Sequence, residues 1–253
     1  MSYLEDMFDL SGKVVLVTGG SRGLGKEMVY GCARAGADVV IASRNLETCQ
    51  AVAKDVEETT GRQAHAYQVH VGRWDQLDGL VDAAYERFGK VDALINNAGM
   101  SPLYDKLSEV SEHLFDSVVN LNFKGPFRLS AILGERMVAD GGGSIINVSS
   151  SGSMRPMPSI VPYGGAKAAL NYMTEAMAKA YGPTVRVNTL MSGTMLTDVS
   201  KAWDMESTLE SAKRFALQRI GEPHEVVGAA IYLISDASTY TTGATIRVDG
   251  GLP

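Results

Sequence analysis

Short runs of consecutive apolar residues, each followed by a longer stretch with helical spacing, recur along almost the whole chain. The first run is Val14 to Val17, with Leu24 to Ala35 behind it. The same reading predicts strands over Asp38 to Ala42, Gln63 to His70, Ala93 to Asn96, Ser144 to Val148, Val185 to Asn188 and Thr245 to Val248. It predicts helices over Leu46 to Thr59, Trp74 to Phe88, Ser111 to Val138, Tyr163 to Tyr181 and Pro223 to Ile234. A strand with one wet face alternates apolar and polar residues, and these runs do not, so both faces of the sheet must be covered. Alternating strands and helices then predict an α/β fold, a doubly wound parallel sheet with helices on both faces. No linker or repeat interrupts the pattern, so residues 1–253 read as a single domain. The least regular stretch, Met191 to Arg219, is a candidate lid over a site.

Composition excludes several classes. The chain has 253 residues, 45% of them apolar, and a formal charge of −6 with acids and bases intermixed. No Lys/Arg run marks a nucleic-acid surface. Cys32 and Cys49 lack the paired spacing of a disulfide framework or a zinc site, so no metal is expected and a reducing compartment is. The N-terminus carries early acids and no apolar run of signal-peptide length, and no stretch is long enough to span a membrane. A cytoplasmic protein is the expectation.

The segment Thr18-Gly19-Gly20-Ser21-Arg22-Gly23-Leu24-Gly25 falls where the first strand turns into the first helix. Glycines there let the backbone approach a pyrophosphate, and a helix N-terminus offers free N–H groups and partial positive charge. This makes the sheet a Rossmann-type dinucleotide site, although the glycines are spaced G-x-x-x-G-x-G instead of G-x-G-x-x-G. The alternative is a tight strand–helix turn with no ligand. After the second strand an acid would hold the ribose hydroxyls of NAD, whereas an arginine accommodates the 2′-phosphate of NADP. The chain places Ser43 and Arg44 there, with no acid before Glu47, and Arg22 adds a second cation. NADP(H) is the expected cofactor.

Further along, Ser150, Tyr163 and Lys167 bring a hydroxyl, a phenol and an ammonium into one region. Lys167 lies one helical turn after Tyr163, on the same face, where its charge would favour the phenolate. Together with Asn96-Asn97-Ala98-Gly99, Asn122 to Gly125, Arg186 to Asn188 and Asp249 to Gly251, these segments resemble the short-chain dehydrogenase/reductase family. The likeness extends to its 3-oxoacyl-carrier-protein reductase-like members and covers nearly the whole length. It implies that Tyr163 is the general acid in reduction and the base in oxidation, and that Ser150 bonds the substrate oxygen. Ser150 is chosen over Ser149 and Ser151 by its family-like spacing to Tyr163. The resemblance also implies that Lys167 holds the nicotinamide ribose and that Asn122 binds a water in a relay to Lys167. The alternative for Asn122 is an ordinary mid-helix amide facing solvent or its own turn.

The likeness further implies cofactor contacts from Gly19, Ser21, Arg22, Gly23, Leu24, Ser43, Arg44, Asn97, Ala98, Gly99, Tyr163, Lys167 and Gly193, with Met195 and Thr197 at the nicotinamide carboxamide. Asn96 is read instead as a sheet-stabilising hydrogen bonder. Two departures stand out. His70-Val71 lies where an aspartate commonly meets adenine, and Ser192-Gly193 replaces Pro-Gly after the sixth strand.

Met100, Met154, Pro156, Met157, Met195, Leu196, Val199, Trp203 and Met205 are expected around the nicotinamide, which favours an apolar small-molecule substrate. Any single one of these methionines equally suits the core, and Arg155 suits a solvated surface position. The leading expectation is a carbonyl (ketone or 3-oxoacyl) reductase, equivalently a secondary-alcohol dehydrogenase. The alternatives are a sugar or polyol dehydrogenase and a dinucleotide-binding regulator without catalysis. A regulator would have no need to keep Ser150, Tyr163 and Lys167 together. By family analogy the long helices pair across the axes of a homotetramer.

Overall fold

The computed structural model describes residues 3–198, 200 and 204–253. Seven strands form one parallel sheet: β1 Val14–Thr18, β2 Asp38–Ser43, β3 Ala64–Gln68, β4 Ala93–Asn96, β5 Gly143–Ser150, β6 Val185–Ser192 and β7 Thr245–Val248. Their order is β3-β2-β1-β4-β5-β6-β7, and every neighbouring pair is parallel. The strand order reverses between β1 and β4, which opens a crevice at the carboxyl ends of those two strands.

Successive residues of a strand point to opposite faces, so each apolar run feeds two cores. Val15 and Val17 of β1, with Val39 and Ile41 of β2, pack on one side. There they meet α2 (Gly23–Arg34), α3 (Leu46–Thr60) and α9 (Val227–Ile234) through Met28, Val52 and Leu233. Val14, Leu16, Val40 and Ala42 pack on the other side. Leu80, Leu129 and Leu170 cover them from α4 (Leu77–Phe88), α6 (Gly125–Ala139) and α7 (Val161–Tyr181). The remaining helices are α1 (Tyr3–Phe8), which the periodicity does not predict, α5 (Glu112–Val119) and α8 (Met205–Ala212).

The expected helix over Ser111 to Val138 forms, but a π turn interrupts its α-helical hydrogen bonding. Ser111 caps α5 by accepting the Leu114 amide at 3.2 Å. A π turn over Asn120–Lys124 then separates α5 from α6, with the Gly125 amide reaching back to the Asn120 carbonyl. Two local features accompany the turn. Pro126 has no N–H for the carbonyl four residues behind it, that of Asn122. The Asn122 side chain also turns inward to bond a neighbouring loop. Such π turns are often found at functional sites. The C-terminal helix is likewise shorter than expected, because Pro223–Val226 is a 3-10 turn ahead of α9.

Among the described residues, the stretch after β6 carries more regular structure than its sequence implies. Strand geometry runs to Ser192, Met195 makes a β-bridge with Gly221, and α8 follows. The lining expected from Val199 and Trp203 lies outside the described residues. No helix among the described residues is long and apolar enough to cross a membrane. No cluster of three or more His, Cys, Asp or Glu suited to a metal occurs among them either.

Candidate active site

The glycine turn after β1 is held from the tip of β4. Thr18 Oγ1 accepts the Asn97 amide at 3.0 Å and the Ala98 amide at 3.1 Å, and it donates to the Ile95 carbonyl at 3.3 Å. The Asn97 side chain donates to the Thr18 carbonyl at 2.9 Å and to that of Gly19 at 3.3 Å. Asn97 and Ala98 therefore position the turn, with these amides already engaged. Gly19 has φ +65°, a left-handed conformation that a side chain resists. Gly25 allows no side chain at all, since a Cβ there would sit 2.2 Å from the Gly19 carbonyl oxygen.

The helix that follows suits a phosphate. Arg22 stands at the N-cap of α2 without a side-chain cap, and the first turn carries no acid. Its first amides have no intrahelical acceptor, so the turn presents donors and partial positive charge. Thr197 faces this turn, its Cβ 3.6 Å from where a Gly23 Cβ would lie. At the end of β2, Ser43 Oγ is 2.9 Å from Ser21 Oγ and 3.0 Å from Cys49 Sγ. That contact joins the two loops carrying the exposed Arg22 and Arg44. This donor set fits the phosphates of a dinucleotide.

Several of the residues expected to contact the cofactor also make structural contacts. His70 Nδ1 accepts the Gly72 amide at 3.1 Å, and the His70 amide donates to Gln76 at 2.9 Å. Only its other ring nitrogen is left for a ligand. Val71 and Leu24 pack against the two cores. A side chain on Gly193 would collide with Asp249, its Cβ 2.6 Å from that residue's Cα. Met195 is buried in the core, lies over Gly221, and faces a cleft it shares with Ala216, Arg219 and Asp249. Ser192 donates to the Ser149 carbonyl at 3.3 Å, which ties β6 to β5 where the usual proline would offer no hydroxyl. Arg155 is not simply solvated, because its guanidinium donates to the backbone carbonyls of Leu252 and Pro253.

Ser150 ends β5, and Tyr163 and Lys167 sit in the first two turns of α7, so their convergence follows from the β5–α7 crossover. Ser150 Oγ accepts the Gly152 amide at 3.1 Å, which leaves its own proton free to donate. Burial raises the pKa of the Tyr163 phenol, and the nearby Ser150 hydroxyl, which draws it down, does not offset this. Tyr163 is only partly buried by area; the rise therefore reflects how little water reaches its oxygen. The lowering expected from Lys167 is not what decides the balance here.

Lys167 is 3% exposed, and its Nζ donates to the Val148 carbonyl at 2.8 Å and lies 5.8 Å from the centre of the Tyr163 ring. Burial lowers its pKa to about 8. Asn122 is fully buried. It donates to the Met100 carbonyl and the Val118 carbonyl at 2.9 Å each, and accepts the Met100 amide at 3.3 Å. Gly99 passes between the two side chains, where a Cβ would lie 2.8 Å from Asn122 Oδ1 and 3.6 Å from Lys167 Nζ. Asn96 bonds Ser130 and Asn147 at 2.9 Å each, joining the sheet to α6.

Residues 13–207 match the short chain dehydrogenase family. The protein belongs to that family. As an oxidoreductase of this kind it acts between alcohols and carbonyls. Over 98% of its length it is 35% identical to "Short chain dehydrogenase/reductase astE" of Aspergillus oryzae, covering 97% of that protein. It is 33% identical to the 3-oxoacyl-[acyl-carrier-protein] reductase of Thermotoga maritima over 96% of this chain and 98% of the relative. Its fold superposes with TM-score 0.93 on a gluconate 5-dehydrogenase from Burkholderia cenocepacia in complex with NADP and tartrate. That pair is 32% identical and covers 99% and 98% of the two chains.

Three residues near the site escape the sequence pattern. Thr18 opens the glycine segment, but nothing in the sequence assigns its hydroxyl the task of pinning the turn. Cys49 reads as an inert helical thiol yet touches Ser43. Tyr104 lies in an aperiodic loop with no signal beyond being aromatic.

Proposed function

We propose that the protein is an NADP(H)-dependent oxidoreductase that interconverts an apolar ketone or 3-oxoacyl compound and its secondary alcohol. The observation that carries this reading is the meeting of Ser150, Tyr163 and Lys167 beside Asn122, at the same edge of the sheet as the open glycine turn. Bound NADP(H) supplies the hydride. The other tasks fall to the chain's own groups. Tyr163, kept protonated by burial, donates its proton to the carbonyl oxygen in reduction and takes it back in oxidation. Ser150 donates to that oxygen as negative charge develops on it. Lys167 holds the ribose and keeps a positive charge near the phenol.

The Asn122 amide is fully engaged, so its role in a water relay would fall to its main-chain carbonyl, which Pro126 deprives of its helical donor. Met154 and Met157 are 54% and 48% exposed on the loop between Ser150 and Tyr163, which favours an apolar substrate over a sugar or polyol.

NADP(H) is favoured over NAD(H) by the Ser21–Ser43 contact and the two exposed arginines beside it. NADPH oxidation measured against 3-oxoacyl thioesters, cyclic ketones and keto-sugars tests the reading, with turnover of one of the first two classes expected. Arg44→Ala is expected to weaken NADPH binding about tenfold and leave NADH binding unchanged, the loss of one charge-assisted contact. Equal use of NADPH and NADH by the wild type would overturn the cofactor assignment.

A further inference from the structure

We infer that Tyr104 is a positioning residue for the reaction, a latch that fixes the start of the helix carrying Tyr163 and Lys167 and closes the rim of the substrate cleft. The inference rests on the functional reading above. Its phenol donates to the Pro158 carbonyl at 2.6 Å and accepts the Val161 amide at 2.8 Å. One oxygen thus joins the loop after β4 to the loop before α7 across more than fifty residues of sequence.

The bond to Val161 fills a gap in the local structure. The N-cap of α7 is Ile160, whose side chain has no acceptor to offer, and Pro162 follows at the second helical position without an N–H. Val161 therefore carries an orphan donor at the first position, and Tyr104 supplies the missing acceptor from a distant loop. Tyr163 is two residues further on.

Close packing transmits that position to the reacting groups. A Cβ on Gly152 would lie 2.7 Å from Ile160 Cδ1, 3.5 Å from Ser150 Oγ and 3.9 Å from Tyr163 Cε1. A Cβ on Gly164 would lie 2.9 Å from the Gly152 carbonyl oxygen. With no slack between these parts, a shift at the start of α7 moves Tyr163 relative to Ser150. The other loop is equally fixed, because the Asn122 amide bonds both the N–H and the C=O of Met100. Tyr104 ties the far end of that loop down. The joined loops carry exposed Leu103, Met154 and Met157, so the latch also sets the spacing of an apolar rim.

The test is Tyr104→Phe, which keeps the ring and removes both hydrogen bonds. Hydrogen–deuterium exchange at Val161 should accelerate at least tenfold. kcat for the best carbonyl should fall roughly tenfold, as displaced reacting groups require, and KM should rise. The NADPH dissociation constant should stay within twofold, which a general loss of structure would not permit. Faster exchange with unchanged kcat and KM would reduce Tyr104 to a brace and overturn the inference. Unchanged exchange would show that the latch does not form. Wild-type silence on every carbonyl would sink the functional reading and this inference with it. Wild-type turnover with an unaffected Tyr104→Phe variant would sink the inference alone.

Discussion

Tyr163→Phe is expected to lower carbonyl turnover about a thousandfold while leaving NADPH affinity within a few-fold. The phenol is the group in this cluster best suited to give up a proton to a substrate oxygen. Ser150 is a hydroxyl whose ordinary role is to donate a hydrogen bond, and Lys167 points at the Val148 carbonyl. Phenylalanine keeps the ring that lies against Gly152 and Lys167, so helix and cofactor groove should be undisturbed. The raised pKa of Tyr163 also sets the sign of the pH dependence. Reduction uses the protonated phenol, so its rate should hold through neutral pH and fall in the alkaline range. Oxidation uses the phenolate and should rise over the same range. Steady-state rates in both directions across pH check this. A Phe variant with a wild-type rate would remove Tyr163 from the chemistry.

Lys167→Met should abolish most turnover and yet stabilise the protein at neutral pH. Its folded-state pKa of about 8, below the ordinary 10.5, means that folding disfavours the charged form. At roughly 1.4 kcal/mol per unit, holding the ammonium buried costs about 3 kcal/mol. This cost is present in full below pH 8. It disappears between pH 8 and 10.5, where the unfolded chain still binds a proton that the folded one has lost. Methionine removes the charge but also the charge-assisted hydrogen bond to Val148, worth about 2 kcal/mol. The variant should therefore be more stable than wild type by about 1 kcal/mol at pH 7, and less stable near pH 10.5. Denaturant titrations at the two pH values measure the difference. If it kept the same sign and size at both, Lys167 would not be carrying a buried charge.

Much of this molecule is legible from its sequence because burial on both faces leaves a direct trace. Val14 to Val17 can be continuously apolar only if alternate residues enter two cores, and they do. The glycine turn is legible for a related reason, since Gly19 and Gly25 mark places where a side chain has no room. The π turn in the expected helix over Ser111 to Val138 was less legible. Apolar spacing continues across the π turn, and only Pro126 hints at it; the accompanying bond from Asn122 to Met100, twenty-two residues away, leaves no trace in the spacing.

Sequence alone determined the order of strands and helices, the place of the glycine turn, and which residue types could move a proton or hold an anion. Each follows from local periodicity, steric need or side-chain chemistry, all of which act within a few residues. Tertiary structure decided the remainder. Met195 was packed into the core over Gly221, and the Asn97 side chain was engaged in holding the glycine turn. Burial outweighed the other influences on Tyr163, and a phenol from a distant loop capped the helix that carries it. These outcomes depend on which groups meet across long stretches of chain and on how much water is left between them. Hydrogen-bond partners and desolvation are properties of the packed fold, and spacing along the chain does not record them.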